Sequence, residues 1–463
     1  MTSHLASARV AIFCTLLVEI NLPSRNTSAA DTVPARSPAF RVGYAEQDIT
    51  PPPGLPMWGY GARHALTATG ALDLLFARVV VIHAGTGKLA IMGLDLGRAP
   101  TAPMMEQIRA AVQEQAGIEH VLISGSHTHH GPVIELVDRE GFGKGTFDAA
   151  VKYSQQLPGM LINAILTADR TARPARMGIS SRSDLNLNRN RQSKREPKAR
   201  DPMLAVMRFD NEQGEPLALL ANFAAHPVMT DTMQLRYSAD YPGFLVNKVR
   251  EDLGCGCVFM QGAAGDMSVN PPGQVRGPKA YGELLATYVV ELAKQTESRV
   301  PDSPSVAGRV DSFHFRSRVN LNDPLVRIQY SLAFFPELIQ NMVQQFGEGI
   351  DAELNTVVLN GNVALVGGSG EFFCNHANRL KERTYLDHTL FFGYCNGHSL
   401  YFPTIEAVSE GGYGADAPVS PVEIGAGEQM LNRALINIYE LLGRIDTAAH
   451  ESSSDTTDDA KSP

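Results

Sequence analysis

The chain switches repeatedly between unbroken apolar runs and apolar residues spaced at helical intervals. Residues 77–96, "ARVVVIHAGTGKLAIMGLDL", hold two β-rich runs around Ala-Gly-Thr-Gly, which predicts a hairpin. Residues 101–117, "TAPMMEQIRAAVQEQAG", place Met105, Ile108 and Val112 on one face, between a capping Thr101 and a terminating Gly117. "HVLIS" (120–124) reads as a buried strand. A long helical stretch follows near 147–168, with an interruption expected around Pro158. "PLALLANFAAHPV" (216–228), "CGCVFMQGAAGD" (255–266) and "NTVVLNGNVALVGGSGE" (355–371) repeat one theme, an apolar strand running into a loop of small and polar residues. The last predicted helix carries Leu431, Leu435, Ile438 and Leu442 on one face and stops at Gly443. This alternation predicts an α/β fold, with mixed β-sheets flanked by helices in a single large domain and the site in loops at strand ends. Four loops stand out as its parts, 124–132, 222–231, 261–271 and 367–373.

Composition narrows the picture. At 463 residues, 44% hydrophobic and 19% charged, the chain can bury a large core. A net charge of −9 argues against general affinity for nucleic acid or acidic membranes. The basic run 182–200 has no interleaved aromatics and reads as a solvated loop from which one arginine can reach the site. Arg9, the apolar segment "VAIFCTLLVEINL" and "SAAD" form a signal-peptide pattern over 1–30, so the expected location is secreted or periplasmic. Residues 31–40 read as a linker, 41–445 as one large folded domain and 446–463 as a disordered acidic tail. No segment after the leader is apolar for the roughly 20 residues that a membrane span requires. Of the four cysteines beyond it, Cys374 and Cys395 are a candidate disulfide pair, and burial as small apolar side chains is the alternative for all four.

The chemistry concentrates in the four loops. "SHTHHGP" sets His127 and His129 two positions apart, where extended backbone projects both imidazoles to one side, toward a metal ion or a substrate. His226 ends an apolar strand and is either a third ligand or a hydrogen-bonded structural residue. "GAAGDMSVNPPG" offers Asp266 and Ser268 among glycines, as a nucleophile site or as a turn. Glu371 in "GGSGEFF" is a ligand candidate or a complement to a helix dipole. Tyr394, His398, Tyr401 and Tyr413 follow.

Taken in order, these motifs resemble the N-terminal catalytic domain of the neutral/alkaline non-lysosomal ceramidases. "VGYAEQDITPPPGLPMWGYGA", "SHTHHGP", "DPMLAVMRF" with "LLANFAAHP", "GAAGDMSVN", "GSGEFF" and "NGHSLYFPT" are similar to the family's successive signatures. The resemblance covers about residues 40–443 and does not include the family's C-terminal immunoglobulin-like domain. It implies a zinc site of His127, His226, Glu371 and Tyr401. It also implies catalytic roles for His129, for Ser268 as nucleophile, and for Tyr413 and Arg189 as oxyanion donors. Attack by Ser268 or by a zinc-activated water both stay open. The chain departs from the family at Val269 and Ser369, where proline is usual, at His130, where serine is usual, and at His398, the first tyrosine of a Tyr-x-x-Tyr element.

The implied activity is zinc-dependent hydrolysis of linear amides, ceramide-like N-acyl lipids first, with peripheral contact to lipid aggregates. A zinc hydrolase of another amide or ester is the alternative enzyme, and a non-catalytic secreted binding protein on the same fold is the alternative class.

Overall fold

The computed structural model describes residues 40–64 and 66–446. The expected signal peptide, most of the linker and nearly all of the acidic tail lie outside the described residues. Phe40, placed in the linker by its sequence, already belongs to the first strand, Phe40–Asp48.

One local device builds three sheets. An antiparallel hairpin is followed by a helix, which returns the chain to a strand parallel to the hairpin's second arm. In the first sheet, Phe76–Ala84 and Gly87–Leu94 form the hairpin, helix Ala102–Ala116 crosses over, and His120–Gly125 returns in parallel. In the second sheet the same parts are Leu204–Asp210, Pro216–Phe223, helix Asp240–Leu253 and Gly256–Gln261. In the third they are Ile350–Leu359, Val363–Gly368, helix Cys374–Thr384 and His388–Phe392. Parallel neighbours demand such a crossover, because a tight turn can only reverse the chain. A parallel pair also ends at a common edge, so the loops leaving these strands emerge together.

The three sheets share one core. Val80, Ile82 and Leu122 of the first meet Met207, Leu220 and Met260 of the second and Val357, Leu365 and Phe392 of the third. Each sheet turns its other face to its own helices. Strands covered on both faces read as continuous apolar runs, which is the pattern seen in the sequence.

One expectation is corrected and one open alternative is resolved. Helix Asp148–Arg170 runs through Pro158 without a break, because Leu157, Leu161, Ile165 and Ala168 are buried in the cluster beneath it and tertiary packing outweighs the lost hydrogen bond. Cys374 and Cys395 are both buried and unbridged; Cys374 Sγ lies 3.3 Å from Asp266 Oδ2, while Cys395 fills the shared core. Among the described residues no helix is long and apolar enough to cross a membrane.

The first and second sheets touch closely at Gly93, where a Cβ would stand 2.2 Å from the Phe259 carbonyl oxygen. Both partners are backbone within strands and cannot yield cheaply. Gly93→Ala is therefore expected to destabilise the protein by about 1–3 kcal/mol. A denaturation midpoint equal to wild type would show that this contact is not tight.

Candidate metal centre

His127 is the second residue after strand His120–Gly125 and adopts a left-handed φ of 68°. That conformation is uncommon for a residue with a side chain and is held here by two hydrogen bonds. Its backbone N–H donates to Leu96 O (3.0 Å) and its Nδ1 to Gly97 O (2.8 Å). His226 is anchored in the same manner, with its backbone N–H on Met267 O (3.0 Å) and Nδ1 on Ala264 O (2.6 Å). A carbonyl only accepts, so each neutral ring carries its hydrogen on Nδ1 and keeps a lone pair on Nε2. Arg191 Nη2, a pure donor 2.9 Å from His226 Nε2, identifies that atom as an acceptor independently.

With both rings neutral, the two Nε2 atoms, 3.1 Å apart, have no proton to share. Glu371 Oε2 stands 3.3 Å from each and accepts no hydrogen bond. Three buried electron-rich atoms in mutual contact repel one another unless a cation lies among them. A tetrahedral ion with bonds of about 2.0–2.1 Å has ligand–ligand edges of about 3.3 Å, and this triangle matches one face of it. The residues present therefore fit a metal ion.

The charge states suit ligation. Burial pushes the Glu371 carboxyl upward, but the His127, His226 and His398 imidazoles hold it well below its ordinary value. Burial, with the charge of Arg191, lowers His226 to about 3. His129 is driven well below its usual value by burial and by His127 and His226. A neutral His226 beside an ionised Glu371 is the state that binds a metal.

The remaining predicted residues surround this face. His129 Nε2 is 3.4 Å from His127 Nε2. Tyr401 is buried and paired in parallel register with Glu371, and its hydroxyl accepts from Arg191 Nη2 at 3.1 Å. Tyr413 stands edge-on to Tyr401 at 5.8 Å and is 65% exposed. Ser268 is half-buried and forms a parallel bridge with His226, but it is not among the described residues lining the cavity. That cavity, about 370 Å³, opens onto His127, His129, Glu371 and Tyr401 and is walled by Met57, Phe334, Phe335, Leu338 and Met342. Asp266 is structural: it accepts from Cys374 N–H (2.7 Å) and Asn190 Nδ2 (2.6 Å).

One residue named from the sequence does not reach this group. Arg189 lies between the buried Asn188 and Asn190 in a short strand and is exposed on the opposite side. The strand ends at Asn190, and Arg191, itself exposed, directs Nη2 to His226, Gly265 O (3.0 Å) and Tyr401. The sequence reads Asn-Arg twice in succession, and only the end of the strand distinguishes the two arginines. Trp58 and His398 were also not assigned roles by their sequence. The Trp58 ring packs edge-on to His127 at 5.0 Å and to His129 and His398 at 5.5 Å. His398 Nε2 is 3.3 Å from Glu371 Oε1. His130 instead ties loops together. Its Nε2 donates to Asp231 O (3.0 Å) and its carbonyl accepts from Ser238 N–H (3.1 Å).

Residues 40–275 match the family model described as neutral/alkaline non-lysosomal ceramidase, N-terminal. Neutral ceramidase 1 of Arabidopsis thaliana is 26% identical over 226 residues, 44% of this chain and 28% of that protein. Neutral ceramidase 3 of the same plant is 30% identical over 163 residues, 33% of this chain and 21% of that protein. These matches thus span less than a third of the curated relatives' lengths. The fold is similar to that of the neutral ceramidase from Pseudomonas aeruginosa, with a TM-score of 0.72 at 18% identity over 88% of this chain and 75% of that one. A solved ceramidase complexed with C2 gives 0.69, also at 18% identity, over 88% of this chain and 76% of that one.

His130 generates a pH prediction. Burial and the charge of Arg63 lower its imidazole to about 4, whereas an unfolded histidine titrates near about 6.5. The unfolded chain therefore takes up the proton first. This contribution to stability is complete above about pH 6.5 and is lost as the pH falls through about 4. The fall in denaturation midpoint over that window should be shallower in His130→Gln than in wild type, and equal slopes would refute the assignment.

Proposed function

The chain belongs to the neutral/alkaline non-lysosomal ceramidase family, and from that premise we propose that it is a zinc-dependent hydrolase of linear amides, with ceramide-like N-acyl lipids as its first substrates. The observation that carries this reading is the triangle of His127 Nε2, His226 Nε2 and Glu371 Oε2 at the end of an apolar cavity. His127, His226 and Glu371 would hold the ion, with Tyr401 beside them as the fourth ligand. Zinc in this position supplies Lewis acidity toward an amide carbonyl.

The chain's own residues do the rest. The apolar wall takes an acyl chain and excludes water from the reacting end. His129 lines the cavity next to the cluster, and its neutral imidazole can accept a proton and pass it to the leaving amine. Arg191 and the rim hydroxyl of Tyr413 supply positive charge and a donor for the developing oxyanion. Arg191 keeps Gly265 O and Tyr401 as partners when His226 Nε2 is committed to an ion. Ser268, in register with His226, is the candidate nucleophile, with water as the alternative.

A second reading has its own support. Arg98 and Glu135, paired at 3.1 Å, also line the cavity and make part of its wall ionic. That wall suits an N-acyl compound with a polar or charged amine portion, such as an acyl-amino acid.

Four measurements test the assignment. Wild type should copurify with or take up zinc, and His127→Ala should lose both metal and hydrolysis of an N-acyl sphingoid base; equal activity in metal-free protein would sink the proposal. Arg191→Ala should lower kcat by about 10²–10³-fold, while Arg189→Ala stays near wild type. The reverse order would return the role to Arg189. Ser268→Ala separates the two nucleophiles, and a panel of N-acyl sphingoid bases against N-acyl amino acids separates the two substrate classes.

A further inference from the structure

The two oxygens of Glu371 have different surroundings. Oε2 faces the paired imidazoles and receives no hydrogen bond. Oε1 lies 3.3 Å from Nε2 of His398. His398 is only 4% exposed, and its ring is fixed on several sides. Trp58 meets it edge-on at 5.5 Å, and Tyr394 and His127 lie nearly parallel to it at 6.3 and 6.2 Å.

Two triads can be drawn around this carboxylate, His127–His129–His226 and His127–Glu371–His398. They cannot hold two ions together. His127 spends Nδ1 on the Gly97 carbonyl and has one free nitrogen, which both triads need. The ion position with tetrahedral edges is the one bounded by Oε2, and His398 stands on the Oε1 side. Its Nε2 therefore serves the carboxylate as a donor.

We propose that His398 is a positioning residue of the metal centre. Its Nε2–H donates to Glu371 Oε1, which turns Oε2 toward the ion and restricts Glu371 to a one-oxygen ligand. This rests on the metal reading above and adds the residue that enforces it. The terminal torsion of a glutamate is soft, so without a partner on Oε1 the carboxylate can rotate and present both oxygens. A two-oxygen carboxylate suits larger oxygen-seeking cations. The imidazole thus favours a compact nitrogen-rich site. It does so where the resembling family carries a tyrosine.

The test uses the full chain, as wild type, His398→Phe and His398→Gln, with zinc affinity read by chelator competition and the donor set read by X-ray absorption. His398→Phe is expected to bind zinc about 10–100-fold more weakly with an unchanged number of imidazole donors. His398→Gln, whose amide N–H can reach Oε1, should recover part of the loss. Melting of the metal-free proteins checks folding. If the Phe variant does not fold, His398→Asn, polar but too short to reach Oε1, replaces it under the same criteria. Unchanged zinc affinity would overturn the positioning role, and loss of one imidazole donor would make His398 a ligand instead. A wild type that takes up no metal would overturn the metal reading and this inference with it, whereas a wild type that binds zinc but spares ceramide-like amides would leave the inference standing.

Discussion

Two hydrogen bonds govern this molecule, from His127 Nδ1 to the Gly97 carbonyl and from His226 Nδ1 to the Ala264 carbonyl. Each settles a tautomer, and together they aim two lone pairs at one point 3.1 Å wide. Burying an ionised carboxylate against that point is unfavourable without a compensating cation. The centre is thus a place where the fold holds groups that would separate in water. Its cost is met by the surrounding core, in which side chains from all three sheets are fully buried.

The architecture explains why such groups can be held at all. Each ligand candidate follows a strand whose neighbour in the sheet runs parallel to it. His127 follows His120–Gly125, His226 follows Pro216–Phe223, and Glu371 follows Val363–Gly368. In open sheets with crossover helices, binding sites form beyond the carboxyl ends of the strands. Here three sheets packed on one core bring three such ends together. The geometry of the candidates inherits the rigidity of strands, although every candidate sits in a loop or a two-residue strand.

Around the ion position, polarity is graded by depth. His226 and Glu371 are almost fully buried, His129 borders the cavity, and Tyr413 lies at the exposed rim. Burial keeps the His129 and His226 imidazoles neutral. Met57, Phe334 and Leu338 line the same cavity as His129 and Glu371, so an apolar wall lies beside the polar cluster.

That His127, His129, His226, Glu371 and Tyr401 form one group was implied by the family resemblance; by itself the sequence determined the strand-loop theme and the α/β class and singled out His127, His129, His226 and Glu371 as candidates. These are local signals, because an apolar run followed by glycines and one polar side chain has the same meaning wherever it folds. Tertiary structure alone decided the choices that depend on where a strand stops or what packs beside it. Arg191 reaches the cluster and Arg189 does not, because the short strand ends at Asn190. Pro158 sits inside an intact helix because that helix is packed on a sheet. Cys374 and Cys395 stay apart because one is held beside Asp266 and the other in the shared core. His398 and Trp58 acquire meaning only from the rings they touch, and their contact with each other joins segments more than 300 residues apart, a distance no local pattern spans.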